Sequence, residues 1–278
     1  MRAALIQITA SDDPAANLPA TEAALRQAAA GGADFAATPE MTNIMSSDRA
    51  HQMRVARAEG DDPTLARLRA VAAELGLWTL IGSLALRSGD DPDRLANRSF
   101  LIAPDGGIAA RYDKIHMFDV EVGDGQTYRE SATYRPGSRA VLADTPFARL
   151  GLTVCYDLRF AALFRDLAQA GAQVICVPAA FTVPTGEAHW HVLLRARAIE
   201  TGAFILAPAQ TGTHPGGQGG PPRRTYGHAL AVAPWGEVIA DAGTAPGVVF
   251  ADLDLAQVAE ARRRIPALSV SPNWDRPA

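Results

Sequence analysis

Short apolar runs alternate with amphipathic stretches along the whole chain. Leu5-Ile6-Gln7-Ile8 has the length of a buried strand, and residues 17–30 carry a helical pattern that Gly31-Gly32 stops. Residues 35–38 form the next strand and end at Pro39-Glu40. Asp62-Pro63-Thr64 reads as a helix start, because the carboxylate can cap and proline fits the first turn. Leu65, Leu68, Val71 and Leu75 then make the buried stripe, and Gly76 closes the helix. Two strands, residues 78–86 and 99–103, follow with no helix between them, and Pro104-Asp105-Gly106-Gly107 turns the second into a hairpin with residues 108–112. A purely parallel sheet is therefore excluded, and the pattern predicts an α/β fold with mixed sheets. The second half continues with strand 150–154, helix 161–170, strand 174–177 and helix 187–200. Strands 204–207, 229–233, 238–240 and 248–253 and a last helix over 255–265 precede a proline-rich tail.

No repeat or linker divides the 278 residues, so they read as one domain over 1–278, with a core from about 2 to 266. The stretch 212–222, rich in Gly and Pro, reads as a surface loop. A hydrophobic content of 48% excludes a disordered chain, and a net charge of −4 gives no support for binding nucleic acid or anionic membranes. No run approaches the roughly 18 apolar residues of a membrane span, and the apolar opening is too short for a secretory leader. Cys155 and Cys176 sit in apolar strand-like runs and cannot build a disulfide scaffold, which points to a reducing, cytoplasmic setting. In that setting the sequon Asn97-Arg98-Ser99 carries no meaning.

The common nucleotide-binding and serine-hydrolase motifs are missing. His189 and His191 stand two apart on a helix, so they point in different directions, unlike a zinc-binding pair spaced by four. Cys155 has a better address. It lies where an apolar strand ends and Tyr156-Asp157-Leu158-Arg159-Phe160 leads into a helix, the position at which open α/β sheets place ligands and a helix N-terminus acidifies a thiol. Cys176, inside Val174-Ile175-Cys176-Val177, reads as core filler. Glu40 and Lys114 also follow strands. Thiol, carboxylate and ammonium together would supply nucleophile, proton acceptor and oxyanion partner; taken singly, each fits a buried filler or a salt bridge equally well.

Three motifs decide between these readings. Thr38-Pro39-Glu40, Tyr112-Asp113-Lys114-Ile115-His116 and Gly151-Leu152-Thr153-Val154-Cys155-Tyr156-Asp157-Leu158-Arg159-Phe160 resemble, in order and spacing, the Glu, Lys and Cys motifs of the nitrilase or carbon–nitrogen hydrolase superfamily. Within it, residues 185–190 and 193–201, Thr225-Tyr226-Gly227-His228 and Pro234-Trp235-Gly236-Glu237 are similar to the branch holding deaminated glutathione amidase and omega-amidase. The resemblance implies a four-layer α-β-β-α sandwich with two mixed sheets, assembled as a homodimer. It implies hydrolysis of a small-molecule amide substrate through a thioester, with Glu40, Lys114 and Cys155 catalytic. Glu130 would position substrate and Lys114, the backbone of Tyr156 would join Lys114 at the oxyanion, and Asp157 and Arg159 would fix the turn presenting Cys155. No metal or organic cofactor is expected. Two positions depart from the family: Ala161, where proline is common, and Ala179, where serine is common and whose loss removes one hydrogen bond near the substrate.

Overall fold

In the computed structural model, which describes residues 1–123, 125, 127–215 and 222–270, each of two sheets has three parallel strands at its centre. In the first sheet these are Arg2–Gln7, Phe35–Ala37 and Trp78–Arg87. Leu95–Ile102 and Ile108–Asp113 extend it antiparallel on one side, and Gly247–Asp252 does so on the other. In the second sheet the centre is Arg149–Leu152, Val174–Cys176 and Phe204–Ala207, flanked antiparallel by Val141–Asp144 and by Leu230–Val232 with Val238–Asp241. Both sheets are mixed, the first as the turn at 104–107 requires.

Burial follows the period of two. In the first strand Ala3 and Leu5 join the cluster containing Leu150, Leu152, Val174 and Phe204, the sheet-to-sheet core. Their neighbours Ala4 and Ile6 join Leu25, Ala28, Leu65, Leu68 and Val71 of helices Pro14–Ala30 and Pro63–Leu75. Leu163, Phe164, Leu194 and Ala198 of helices Ala161–Gln169 and His191–Thr201 pack on the second sheet. Strands apolar on both sides must be covered on both, and the result is a helix–sheet–sheet–helix sandwich. Helix Pro63–Leu75 is capped as its sequence demands: the Asp62 side chain accepts from the Leu65 amide at 2.8 Å, and Gly76 closes at φ +61°.

Three local features differ from the sequence pattern. Helix His191–Thr201 starts after a wide single turn, Gly186–Trp190, instead of at residue 187. Thr211–His214 is a strand paired with Arg223–Tyr226, so the expected 212–222 loop begins as sheet and is followed directly by the partner strand, with His214 buried between them and residue 10. His214 bonds the Ala10 carbonyl and the Thr225 hydroxyl, each at 2.7 Å. The middle of that stretch, 216–221, and positions 271–278 of the proline-rich tail lie outside the described residues. The hairpin Asp119–Glu121 with Thr127–Arg129 carries no alternation strong enough to mark it in the sequence. Among the described residues no helix is long and apolar enough to cross a membrane.

Candidate active site

The chain brakes sharply where two of its strands end. Met41 (φ +54°) and Cys155 (φ +51°) both occupy the left-handed region that residues with a Cβ avoid, at a cost of about 1–3 kcal/mol each. Strain of this kind persists only where surrounding contacts enforce it. Asp157 supplies them at Cys155: its Oδ2 accepts the Val154 amide at 2.9 Å and the Tyr112 hydroxyl at 2.6 Å. Its Oδ1 accepts from the His116 amide and ring nitrogen at 3.1 and 2.7 Å. The Glu40 turn is held by Gln210, whose side-chain amide donates to the carbonyls of Glu40 and Met41 at 3.0 and 3.3 Å.

These turns bring Glu40, Lys114 and Cys155 together, although the first and last stand more than a hundred residues apart in sequence. Lys114 Nζ donates to Glu40 Oε1 at 2.9 Å and to Glu130 Oε2 at 2.8 Å, with the ammonium almost fully buried. Glu40 Oε2 accepts the Ala180 amide at 3.0 Å, and the Cys155 thiol is close enough to the Glu40 carboxylate and the Ala180 N–H for both to act on its ionisation. All three residues, with Glu130 and Tyr156, line a cavity of about 200 Å³. Cys176 does not reach it. It is wholly enclosed in apolar strands, and burial pushes its thiol up to about 12.

The electrostatics assign protons. Burial pushes the Cys155 thiol well above its ordinary value, the Glu40 carboxylate adds to this, and the Lys114 ammonium only partly offsets them. Burial would likewise raise Glu40, but Lys114 overrides it and holds the carboxyl below the usual range. Lys114 loses to burial and gains more from Glu130 and Glu40, ending well above its ordinary value. The resting site is thus carboxylate, ammonium and neutral thiol. The expectation of a thiol acidified by a helix N-terminus is corrected here: Cys155 opens a single short turn, Cys155–Arg159, inside a buried site, and desolvation wins.

Four further residues escaped the sequence reading. Asn97 is almost fully buried, and its amide donates to Glu40 Oε1 at 3.0 Å and to Glu130 Oε1 at 3.2 Å. The sequence offered it only as an idle sequon. Tyr112, Ala180 and Arg223 also form the site's walls or supports, and each reads in sequence as strand filler or a loop charge. Arg159 stands away from the turn's hydrogen bonds, its guanidinium 5.9 Å from the Tyr156 ring centre and 5.6 Å from that of Phe181. Ala179 is wholly buried and hydrogen-bonded through its backbone, and the cavity is lined by its neighbour Ala180 instead. Ala161 is an exposed first residue of its helix. Outside the cavity, His191 and His228 both bond Asp241, at 3.1 and 2.9 Å, and the three offer ligand atoms within 4.8 Å of one another. His191 has its neighbours there, and His189 meets Arg159 instead.

Comparison with known proteins agrees with this architecture. The carbon–nitrogen hydrolase family pattern matches residues 2–263. The chain is 41% identical to deaminated glutathione amidase of Yersinia enterocolitica over 95% of its own length and 91% of the relative's. It is 35% identical to omega-amidase NIT2 of Homo sapiens, covering 95% and 92% of the two chains. Among solved structures, the C. elegans NitFhit protein superposes with a TM-score of 0.88 at 33% identity, over 96% of this chain and 64% of that one, so this chain spans about two thirds of NitFhit. Saccharomyces cerevisiae Nit3, of the nitrilase superfamily, superposes with a TM-score of 0.83 at 25% identity, covering 96% and 94%. The chain belongs to the carbon–nitrogen hydrolase family. It is a hydrolase of carbon–nitrogen bonds in amides, other than peptide bonds, on a nitrilase-superfamily fold.

Proposed function

We propose that this protein hydrolyses the carboxamide of a small 2-oxo acid amide, with deaminated glutathione as the substrate, through a thioester on Cys155. The observation that carries the reading is the Glu40–Lys114–Cys155 contact set inside one cavity, with Glu40 ionised beside a protonated thiol. Glu40 takes the thiol proton as sulfur attacks the amide carbonyl. The Lys114 ammonium and the Tyr156 N–H hold the developing oxyanion, a contribution of roughly 3–4 kcal/mol for one good donor in other hydrolases. The C–N bond breaks as Glu40 returns the proton to the leaving amine. Glu40 then deprotonates a water that attacks the thioester and frees the carboxylate product and the thiol. Glu130 and Asn97 keep Lys114 and Glu40 in register through the bonds described above.

The relatives' names support an amidase of this branch, and the higher identity to the deaminated glutathione amidase favours that substrate over 2-oxoglutaramate, the omega-amidase alternative. A nitrilase-fold interaction module without activity is disfavoured by the joint presence of all three groups. The chain works as one catalytic domain, as a homodimer, in the cytoplasm, where its two buried free thiols stay reduced. The test is turnover of deaminated glutathione and of 2-oxoglutaramate by purified protein and by Cys155→Ala. Wild-type hydrolysis with a Cys155 acyl adduct in the mass spectrum supports the reading. Substantial activity in folded Cys155→Ala sinks it.

A further inference from the structure

Three cations line the cavity, and two are already neutralised. Lys114 pairs with Glu40 and Glu130. Arg129 pairs with Glu121 at 3.0 Å and stands half in solvent. Arg223 differs. Among the described residues no carboxylate lies within ion-pair distance of it, and its buried Nε finds no acceptor. Its Nη2 donates to the Ala180 carbonyl at 2.7 Å, and its guanidinium carbon lies 5.6 Å from the Tyr128 ring centre. One face and one edge are therefore fixed while donor capacity stays unfilled. A buried donor left unpaired is destabilising, and a guanidinium fork is suited to a carboxylate.

Position narrows the role. The N–H of Ala180 faces Glu40 and the Cys155 sulfur, and its carbonyl holds Arg223. The guanidinium is thus one backbone unit from the reacting atoms. Charge points the same way. Glu40, Glu130 and Lys114 leave one net negative charge at the reacting end, and Arg223 is the charge that cancels it. Without it an anionic substrate would meet an electronegative cavity.

We infer that Arg223 binds the substrate's carboxylate and sets the enzyme's preference for small anionic amides over neutral ones. The inference rests on the amidase reading, and names the group that selects among amides. Sequence hides it, because Arg223 sits beside Arg224 at the end of a Gly/Pro-rich run and looks like a loop charge.

The test compares wild type, Arg223→Lys and Arg223→Gln on the anionic amide deaminated glutathione and on neutral propionamide. For Arg223→Gln, KM for the anionic amide rises about 10- to 100-fold, as loss of a charge-assisted pair predicts, and the anionic-to-neutral ratio of kcat/KM falls by a similar factor. Arg223→Lys is intermediate. A second measurement covers a Gln variant that does not fold: alkylation of Cys155 at pH 8 by iodoacetate and by iodoacetamide, read by peptide mass mapping. In wild type the iodoacetate-to-iodoacetamide rate ratio exceeds that of 2-mercaptoethanol at least 10-fold, and a small dicarboxylate protects Cys155. A ratio at or below that of the free thiol, or the same substrate preference in all three proteins, overturns the inference. If wild type cleaves no amide, the amidase reading fails and the alkylation ratio still judges Arg223; if it cleaves both amides alike, Arg223 alone is misassigned.

Discussion

The Tyr112 hydroxyl donates to Asp157 Oδ2 at 2.6 Å, joining the strand that leads to Lys114 to the turn that presents Cys155. Tyr112 belongs to the first sheet and Asp157 follows a strand of the second, so one buried hydrogen bond ties together the two halves of the site. A bond to a buried carboxylate is worth about 1.5–3 kcal/mol. Tyr112→Phe is expected to lose stability in that range in a urea titration. It should lower kcat more than it raises KM, since the misplaced partners are the amine and the sulfur.

Lys114 is a buried ammonium between the buried carboxylate of Glu40 and the part-buried one of Glu130. Lys114→Met leaves both unpaired, and breaking such a set typically costs about 3–5 kcal/mol. The variant should be inactive and also markedly destabilised. Adding Glu130→Gln removes one orphaned charge, so the double variant recovers much of the melting temperature and none of the activity. Thermal melts and turnover of the pair separate the structural from the catalytic role; equal recovery of both would contradict the oxyanion assignment.

Gly82 permits the Glu40 turn. A Cβ placed there would lie 2.0 Å from the Thr38 carbonyl oxygen, 2.5 Å from that of Pro39 and 2.6 Å from Pro178 Cβ, all rigid neighbours. Gly82→Ala must displace residues 38–39 and carry Glu40 with them. We expect a loss of about 1–3 kcal/mol or more from overpacking, and a fall in kcat of at least 100-fold in the protein that remains folded. Retained activity would show that the turn tolerates movement.

Acid should destabilise the protein before it protonates Glu40. Burial lowers His214 from 6.5 to about 4, so the unfolded chain takes up a proton that the folded chain refuses. Stability on this account is full above about pH 6.5, falls as pH drops, and by about pH 4 has lost roughly 3 kcal/mol. Glu40, held below the ordinary glutamate range by Lys114, remains ionised over the upper part of that window, above about pH 5. Between pH 6.5 and 5, kcat/KM of the folded protein should lack an acid limb from Glu40, and denaturant midpoints should fall. His214→Asn should flatten the fall in midpoint while costing stability at pH 7.

The chain's own pattern carried the mixed sheets. Apolar runs buried on both sides, such as residues 3–6 and 174–177, require cover on two faces, and the uninterrupted hairpin around residues 104–107 requires mixed sheets. Strand ends also marked Glu40, Lys114 and Cys155, and three motifs in one order related them. Other site residues left no such trace. Asn97 and Tyr112 lie within strands, where composition cannot tell a buried amide aimed at two carboxylates from ordinary filler.

Sequence by itself determined the mixed sheets, because periodicity and the hairpin fix which strands pair and which sides are buried, and the resemblance carried by its motifs supplied the four layers and the groups proposed to react. Only the tertiary structure decided the state of those groups. Whether Cys155 is thiol or thiolate depends on desolvation and on charges contributed by residues 40 and 114, and interactions across such sequence distances exist only once the sheets have met. The same holds for Arg223, a loop cation in one dimension and an unpaired charge beside the sulfur in three.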